Sequence, residues 1–303
     1  MRPILQLLLI FSFFLSATSV TFRCTAFAIC QGMIGYVSPN TTSLYSIIEL
    51  LGLEEVYSLL AANSWPTEDT DRSIPAESTV RIPFPGFCSN GTGISNRTPV
   101  YTVKKGDPGL DYIARTIFGE FVTYQDIAAV NKISDPNLIL IGQKLWIPLP
   151  CSCDDVDAAM VVHYGHVVDN GSSVSQIAGE FGTTEATLMG LNNETLSDPN
   201  NLQAGQILDV PIKACNVSTV SSLLVPIGSY ALTANNCVRC SCNLNDLGLK
   251  CMRAHEVPVT NWARCPPTQC GNLSLGESVN LTTCLRTTCD YAGYNERRIL
   301  MHK

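Results

Sequence analysis

Several residue clusters in this chain carry chemical potential, and they point in different directions. Cys237-x-x-Cys240-x-Cys242 has ligand spacing seen in zinc sites. His163-x-x-His166 offers two more metal-type ligands, but on a strand residues three apart face opposite ways, so they read as histidines at a partly exposed edge. Asp154-Asp155-x-Asp157 is rich in oxygen ligands yet lacks the spacing and glycine of a calcium loop, and reads as a solvated acidic linker. Glycan hydrolysis requires two carboxylates at a set separation; Glu120, Asp126 and Asp135 are available, and no motif pairs them. No Ser–His–Asp or Cys–His grouping is visible. The remaining chemistry is that of turns: Gly106-Asp107, Asp135-Pro136-Asn137, Asp169-Asn170-Gly171-Ser172 and Asp198-Pro199-Asn200. Such residues either shape a turn alone or hold peptide groups toward a ligand.

The elements that position these turns recur along the chain. Val100-Tyr101-Thr102-Val103 alternates like a strand, and Lys104-Lys105-Gly106-Asp107 breaks it. Leu110, Ile113, Ala114, Ile117 and Phe118 follow at helical spacing, with Asp107 or Asp111 near the helix start. Tyr124, Ile127, Ala128 and Val130 form a second helical face that stops at Asn131. After the Asp135 turn, Gly142-Gln143 precedes a closing strand, Lys144-Leu145-Trp146-Ile147-Pro148. Tyr101, Ile113, Ile117 and Leu145 are core by periodicity, whereas Trp146 and Trp65 serve equally as core or as stacking surfaces. The strand–helix–helix–strand pattern repeats downstream, from Val162 through Val174, Ile177, Ala178, Phe181, Leu188 and Asn192 to Gly205-Gln206-x-Leu208-x-Val210-Pro211. A weaker copy lies upstream, with Tyr36-Val37-Ser38, then Leu44, Ile47, Ile48 and Leu51, then Val56, Leu59, Leu60 and Asn63, closing at Ile74–Pro83 without the Gly-Gln pair.

The setting is extracellular. Residues 1–19 combine Met1-Arg2, a short apolar run and Ala17-Thr18-Ser19, the pattern of a cleaved secretory signal. Sequons stand at Asn40, Asn90, Asn96, Asn193, Asn216, Asn272 and Asn280. Fourteen cysteines are too many for an ordinary reduced cytosolic protein, so disulfides are favoured over zinc at Cys237 and Cys240. A net charge of −7 with no basic stripe argues against nucleic-acid binding.

Tyr101-x-Val103-x-x-Gly106-Asp107, Ile113-Ala114, Asn131, Leu138 and Gly142-Gln143-x-Leu145-x-Ile147-Pro148 resemble the LysM module, a binding domain for N-acetylglucosamine polymers. One departure is Asp107-Pro108-Gly109-Leu110, a residue longer than the usual motif, which predicts an altered first loop. The fold class is therefore α+β: three tandem βααβ modules stapled by disulfides (24–88, 100–149 and 161–212), then a cysteine-rich region (215–294) and an atypical tail (295–303). The whole chain resembles plant GPI-anchored LysM proteins, the peptidoglycan-binding branch first and the chitin-elicitor-binding branch next. Cys-x-Cys pairs punctuate the modules in that family; here the first joint reads Gly86-Phe87-Cys88. The resemblance implies pairing of Cys24 with Cys88 and Cys30 with Cys153, leaving Cys151 without a partner and its thiol reactive. The end of the chain, Asn295 to Lys303, is charged and lacks an anchor signal, which suggests an alternative or truncated product.

The resemblance also implies the function: non-enzymatic recognition of peptidoglycan or chitin oligosaccharides, with a LysM receptor kinase as signalling partner, without cofactor or metal. A homo-oligomer is compatible with the sequence. The contact residues it implies are Gly106, Asp107, Gly109, Leu110, Asp135, Pro136, Asn137, Leu138 and Ile139 in the central module. In the next module they are Asp169, Gly171, Ser172, Asp198, Pro199 and Asn200. A charged residue at Ile139 is expected to weaken glycan retention. The rivals are a cell-wall glycan hydrolase and a structural glycoprotein that binds no glycan.

Overall fold

The computed structural model describes residues 20–303 except 26, 54, 219–220, 244–246, 256 and 281–285. Residues 1–19, read above as a secretory signal, and Cys284 lie outside the described residues. Three βααβ units follow one another, as the periodicities predict. Unit 1 comprises Ile29–Val37, helices Leu44–Leu51 and Val56–Ala62, and Thr79–Ser89. Unit 2 comprises Val100–Thr102, a helix from Leu110, the helix Tyr124–Asn131, and Lys144–Trp146. Unit 3 comprises Val161–Val167, helices Val174–Phe181 and Glu185–Leu191, and Ile207–Ser218.

Two repeated devices close every unit. An asparagine ends each second helix and holds the closing strand with its whole amide. Asn63 Nδ2 donates to the Leu59 and Arg81 carbonyls at 2.8 Å each, and its Oδ1 accepts from Arg81 N–H at 2.8 Å. Asn131 does the same with Ile127 and Trp146, and Asn192 with Leu188 and Asp209. The second device is a turn that pairs with the end of the opening strand. Gly142 N–H donates to Val103 O at 2.8 Å and Gly205 N–H to Val168 O at 2.8 Å, both glycines at positive φ. In unit 1 the same bond, 2.7 Å to Ser38 O, comes from Glu77, a glutamate held at φ 63°. The Gly-Gln pair is thus absent from unit 1 while its backbone geometry is kept.

The units join through unit 1. Strands Ser221–Pro226, Ile207–Ser218, Val161–Val167, Ile29–Val37, Thr79–Ser89 and Thr92–Ser95 form one six-stranded sheet in that order. Units 1 and 3 meet in it by parallel pairing of Met33 with Tyr164 and Ile34 with Gly165. Unit 2 keeps its own two-stranded antiparallel sheet, Val100 to Thr102 against Lys144 to Trp146. Its Tyr101, Ile113, Phe118 and Leu145 instead merge with Leu44, Ile47, Leu51 and Phe84 of unit 1 in a single core. Fully burying side chains of this size contributes about 1.5–3 kcal/mol each, and two backbone bonds at the end of unit 2 add to it, Ser95 N–H to Leu149 O at 2.8 Å and Cys151 N–H to Gly93 O at 3.1 Å.

Both histidines of unit 3 are buried, not at a strand edge, because Val161–Val167 is an inner strand. They do face opposite ways. His163 Nδ1 lies 2.8 Å from Asp209 Oδ1 and its Nε2 2.9 Å from Asp154 O, whereas His166 packs on Tyr164 and Phe181.

Disulfides join Cys24 to Cys88, Cys30 to Cys153, Cys215 to Cys242, Cys237 to Cys265, Cys240 to Cys251 and Cys270 to Cys289. Cys237 and Cys240 are therefore cystines rather than zinc ligands. Cys151 is unpaired, as the missing cysteine at position 86 implies, but its expected reactivity does not follow. It is fully buried, and burial pushes its thiol up to about 12, so almost no thiolate forms near neutrality.

The C-terminal region is a three-stranded sheet, Tyr230–Thr233, Val238–Cys242 and Leu249–Arg253, with a hairpin of Asp290–Tyr294 and Ile299–His302. Residues 295–303, read from sequence as a separate tail, supply that hairpin's turn and second strand. The region docks on unit 1 through Tyr230 Oη, which donates to Trp65 O at 2.8 Å. Among the described residues no helix is long and apolar enough to cross a membrane.

Candidate functional site

The two turns of unit 2 lie side by side, and an unusual helix start brings them together. In unit 3 the first helix opens with a capping box, in which Ser173 accepts from Gln176 N–H and Gln176 Oε1 accepts from Ser173 N–H. In unit 2 the corresponding position is Gly109, with no side-chain cap. The orphan N–H of Leu110 is satisfied across the gap, donating to Pro136 O at 2.9 Å. A Cβ on Gly109 would sit 3.1 Å from Pro136 O and 3.2 Å from Asn137 Oδ1, so glycine allows this close approach.

The extra residue in Asp107-Pro108-Gly109-Leu110 alters the helix more than the loop. After one α-helical turn, Ile113–Ile117 is a π-helix, in which Phe118 N–H reaches back five residues to Ile113 O at 3.1 Å. The widened turn keeps Ile113, Ala114 and Phe118 in the core. Beside it an open cleft of about 340 Å³ is lined by Pro108, Gly109, Tyr112, Arg115, Thr116 and Asn137, with Asp111 at its edge. Arg115 is held there by Asp111 and Glu120 at 2.9 Å each, which makes Glu120 an ion-pair partner.

Each residue implied by the family pattern finds a definite place. Gly106 is exposed at φ 107°, a glycine-favouring conformation. Asp107 does not start the helix: its carboxylate accepts from Tyr101 Oη at 2.8 Å and Lys104 N–H at 2.7 Å, which shapes the first turn. Leu110 is wholly buried, so its side chain is core and only its N–H serves the turn pair. Asp135 accepts from Asn137 N–H at 2.9 Å and so builds the second turn, leaving Asn137 exposed. Ile139 is half-buried against the core. The apolar side chains at the surface are instead Leu138, Leu140 and Ile141, exposed by 74%, 74% and 71%. The run Leu138-Ile139-Leu140-Ile141 was visible in the sequence, but a loop has no periodicity from which to decide which members turn outward.

Unit 3 places Asp169, Gly171, Pro199 and Asn200 at the surface, with Ser172 and Asp198 half-exposed. Asp198 starts a short 3-10 turn by accepting from Asn200 N–H at 2.9 Å. Among the described residues no hydrogen bond joins its two turns. In unit 1 the turns are tied shut, with Ala76 N–H on Thr41 Oγ1 at 3.2 Å and Thr42 paired to Ile74. Asn40, a sequon asparagine, is exposed on that turn, and Asn193 is exposed five residues before Asp198. Residues 100–149 contain no sequon. The seven sequon asparagines named above are exposed, as is Asn170 of an eighth sequon, Asn170-Gly171-Ser172, on the first turn of unit 3. The tryptophans sit elsewhere: Trp146 Nε1 donates to Ser95 Oγ at 3.3 Å, and Trp65 packs under Arg72.

Comparison with known proteins supports two of the three units as LysM domains. The LysM domain model matches residues 101–148 and 166–211, which are units 2 and 3; unit 1 falls outside both matches. LysM domain-containing GPI-anchored protein 2 of Arabidopsis thaliana is 43% identical over 98% of this chain and 86% of its own length. Chitin elicitor-binding protein of Oryza sativa subsp. japonica is 42% identical over 94% of this chain and 80% of its own. Among solved structures, the ectodomain of a receptor like kinase superposes with a TM-score of 0.50 over 64% of this chain and 92% of that one, at 22% identity. That likeness is one of fold.

Proposed function

The chain belongs to the family of plant LysM domain-containing GPI-anchored proteins, and on that premise we propose that it is an extracellular, non-enzymatic receptor for N-acetylglucosamine polymers. The ligands are chitin oligomers and bacterial peptidoglycan, and the signal passes to a LysM receptor kinase in plant innate immunity. Unit 1 is a divergent third LysM module that serves as scaffold. Binding takes place on the paired turns of unit 2, with backbone groups of Gly109 and Asn137 meeting the acetamido groups and Tyr112 flanking the sugar rings. Unit 3 contributes Asp169, Gly171, Ser172, Asp198, Pro199 and Asn200 as a weaker second contact, which long polymers engage through multivalency.

The observation that carries this proposal is the hydrogen bond from Leu110 N–H to Pro136 O, since it fixes two peptide-rich turns as one rigid edge before any ligand arrives. The name of the Oryza sativa relative points to the same ligand class. Placement of the sequons favours unit 2, because a glycan on Asn40 would crowd the unit 1 turns.

The test is retention of the purified full chain on insoluble chitin, insoluble peptidoglycan and cellulose. Retention on at least one N-acetylated polymer, and not on cellulose, is expected. A Gly109→Val variant, which forces the turns apart, should lose about tenfold in affinity, the equivalent of ~1.4 kcal/mol. Asn200→Ala should change retention far less. Equal retention on cellulose, or none on any polymer, sinks the proposal; a thermal melt confirms that the variant is folded.

A further inference from the structure

We propose that the C-terminal region holds a second saccharide site, separate from the LysM turns, in the cleft between Trp262 and Tyr294. This cleft has a volume of about 600 Å³, within the roughly 300–1,000 Å³ typical of small-ligand sites. Its apolar wall is an aromatic corner. The two rings lie 6.0 Å apart at 88°, so one offers a face where the other offers an edge. The indole is already pinned, because its Nε1 donates to Glu296 O at 2.8 Å. Tyr294 is 42% exposed.

Three asparagine amides surround that corner, each with one end committed. Asn235 Oδ1 accepts from Thr260 Oγ1 at 3.3 Å and from Asn261 Nδ2 at 3.2 Å. Asn295 Oδ1 accepts from the N–H groups of Arg297 and Arg298 at 3.0 Å each. The other ends, Asn235 Nδ2, Asn261 Oδ1 and Asn295 Nδ2, have no partner among the described residues. They are two amide donor groups and one carbonyl acceptor on residues that line the same cleft. Glu296 adds an exposed carboxylate, which accepts hydroxyl protons and repels anions.

A pyranose ring has the complementary surface: an apolar C–H face for the aromatic wall and a rim of hydroxyls for the amides and the carboxylate. An acyl chain would leave the amides unmet, and a phosphate would meet Glu296. An uncharged saccharide of one or two rings is the occupant that satisfies both halves. The cleft lies in the C-terminal region, outside both stretches that match the LysM model, so it is a site apart from the LysM turns.

The test titrates the full chain, labelled with nitrogen-15, with N,N′-diacetylchitobiose and in parallel with cellobiose. The indole N–H signals of Trp65, Trp146 and Trp262 are followed separately, with Trp262→Phe used for assignment. A saturable shift of the Trp262 signal with either disaccharide is expected. Tyr294→Ala should weaken that response about tenfold and Asn261→Ala severalfold; both side chains are exposed, so the fold is spared. No Trp262 shift with either sugar, or a titration unchanged in Tyr294→Ala, overturns the proposal. The backbone N–H signals of Leu110 and Asn137 report the LysM edge, so failure of that edge and failure of this cleft read out on different signals.

Discussion

Units 2 and 3 share a closing sequence, Gly-Gln-x-Leu-x-Ile/Val-Pro, yet they attach to unit 1 by different physics. Unit 3 joins strand to strand, and its closing strand runs 12 residues. Unit 2 has strands of three residues and joins mainly through side chains, where Tyr101, Phe118 and Leu149 share a core with Leu44, Ile47 and Phe84, with backbone bonds to the sheet confined to its end at Leu149 and Cys151. Sheet pairing fixes a backbone along its length, whereas side-chain packing fixes one face and leaves the far end free to diverge. The far end of unit 2 has diverged, with a π-helix and an uncapped helix start that couples its two turns. Unit 3 kept a regular capped helix and uncoupled turns.

The largest test of that contrast makes the attachment of unit 2 covalent. Cys151 ends unit 2 unpaired, and a Cβ on Gly86 would lie 2.5 Å from its Sγ and 3.3 Å from its Cβ. The latter is just under the usual Cβ separation of a disulfide, about 3.5–4.5 Å. Gly86→Cys should therefore oxidise onto Cys151 after a shift of a few tenths of an ångström and stabilise the chain by ~3 kcal/mol. Mass mapping of the peptides and the denaturant midpoint check it. A free thiol at both positions would show that the joint is less rigid than its hydrogen bonds suggest.

A second test removes the same device from both units. Asn131→Ala and Asn192→Ala each delete an amide that satisfies a helix carbonyl and both backbone groups of a strand residue. Asn192 is only 7% exposed and Asn131 is half-buried. Water can replace part of what is lost at Asn131, so costs of about 3 kcal/mol at Asn192 and about 1–2 kcal/mol at Asn131 are expected. Equal costs would mean that attachment by sheet or by core makes no difference to local exposure.

Those asparagines also mark what could be read from sequence alone. Asn63, Asn131 and Asn192 stood at matching places in three periodic patterns, and all three do the same work. The π-helix was not legible, because Pro108-Gly109 signals an extra residue without saying which element absorbs it. Nor was the outward turn of Leu138, Leu140 and Ile141, since exposure within a loop depends on contacts from elsewhere. The unpaired state of Cys151 followed from the missing cysteine at position 86; its inertness did not, because burial is a property of the packed joint. The aromatic cleft at Trp262 left no pattern, as its residues come from three separated stretches.

The third contrast is one of pH. Unit 3 has a buried His163 whose two ring nitrogens both face acceptors, Asp209 and the Asp154 carbonyl, an arrangement that needs a proton on each. Burial pulls its pKa down, but the Asp209 carboxylate and the Asp154 carbonyl together raise it above the ordinary 6.5. Since the folded value is the higher one, the stabilisation is complete below 6.5 and is lost as pH rises through the raised value. Thermal midpoints should therefore fall by a few degrees from neutral to mildly alkaline pH. Hydrogen exchange should show the loss in Val161–Val167 while unit 2, which has no such pair, holds. A midpoint that rises over this range would reverse the sign of the coupling.

The smallest effect concerns the turn that units 2 and 3 share and unit 1 imitates. Gly142 and Gly205 donate to the opening strand from φ 84° and 80°, a region glycine enters without steric cost. Unit 1 makes the same bond from Glu77 at φ 63°, where a side chain costs roughly 1–2 kcal/mol. The Glu77 side chain is exposed, so little packing is lost by removing it. Part of the relief is cancelled by the greater freedom of glycine in the unfolded chain, which leaves a net gain of about 0.5–1 kcal/mol for Glu77→Gly. Chemical denaturation resolves a change of that size. A loss of stability would mean that the glutamate makes a compensating contact in solution and that the unit 1 turn is not equivalent to the others. A gain would show that unit 1 keeps the shared backbone geometry against its own sequence, as expected if the geometry positions the sheet that unit 3 depends on.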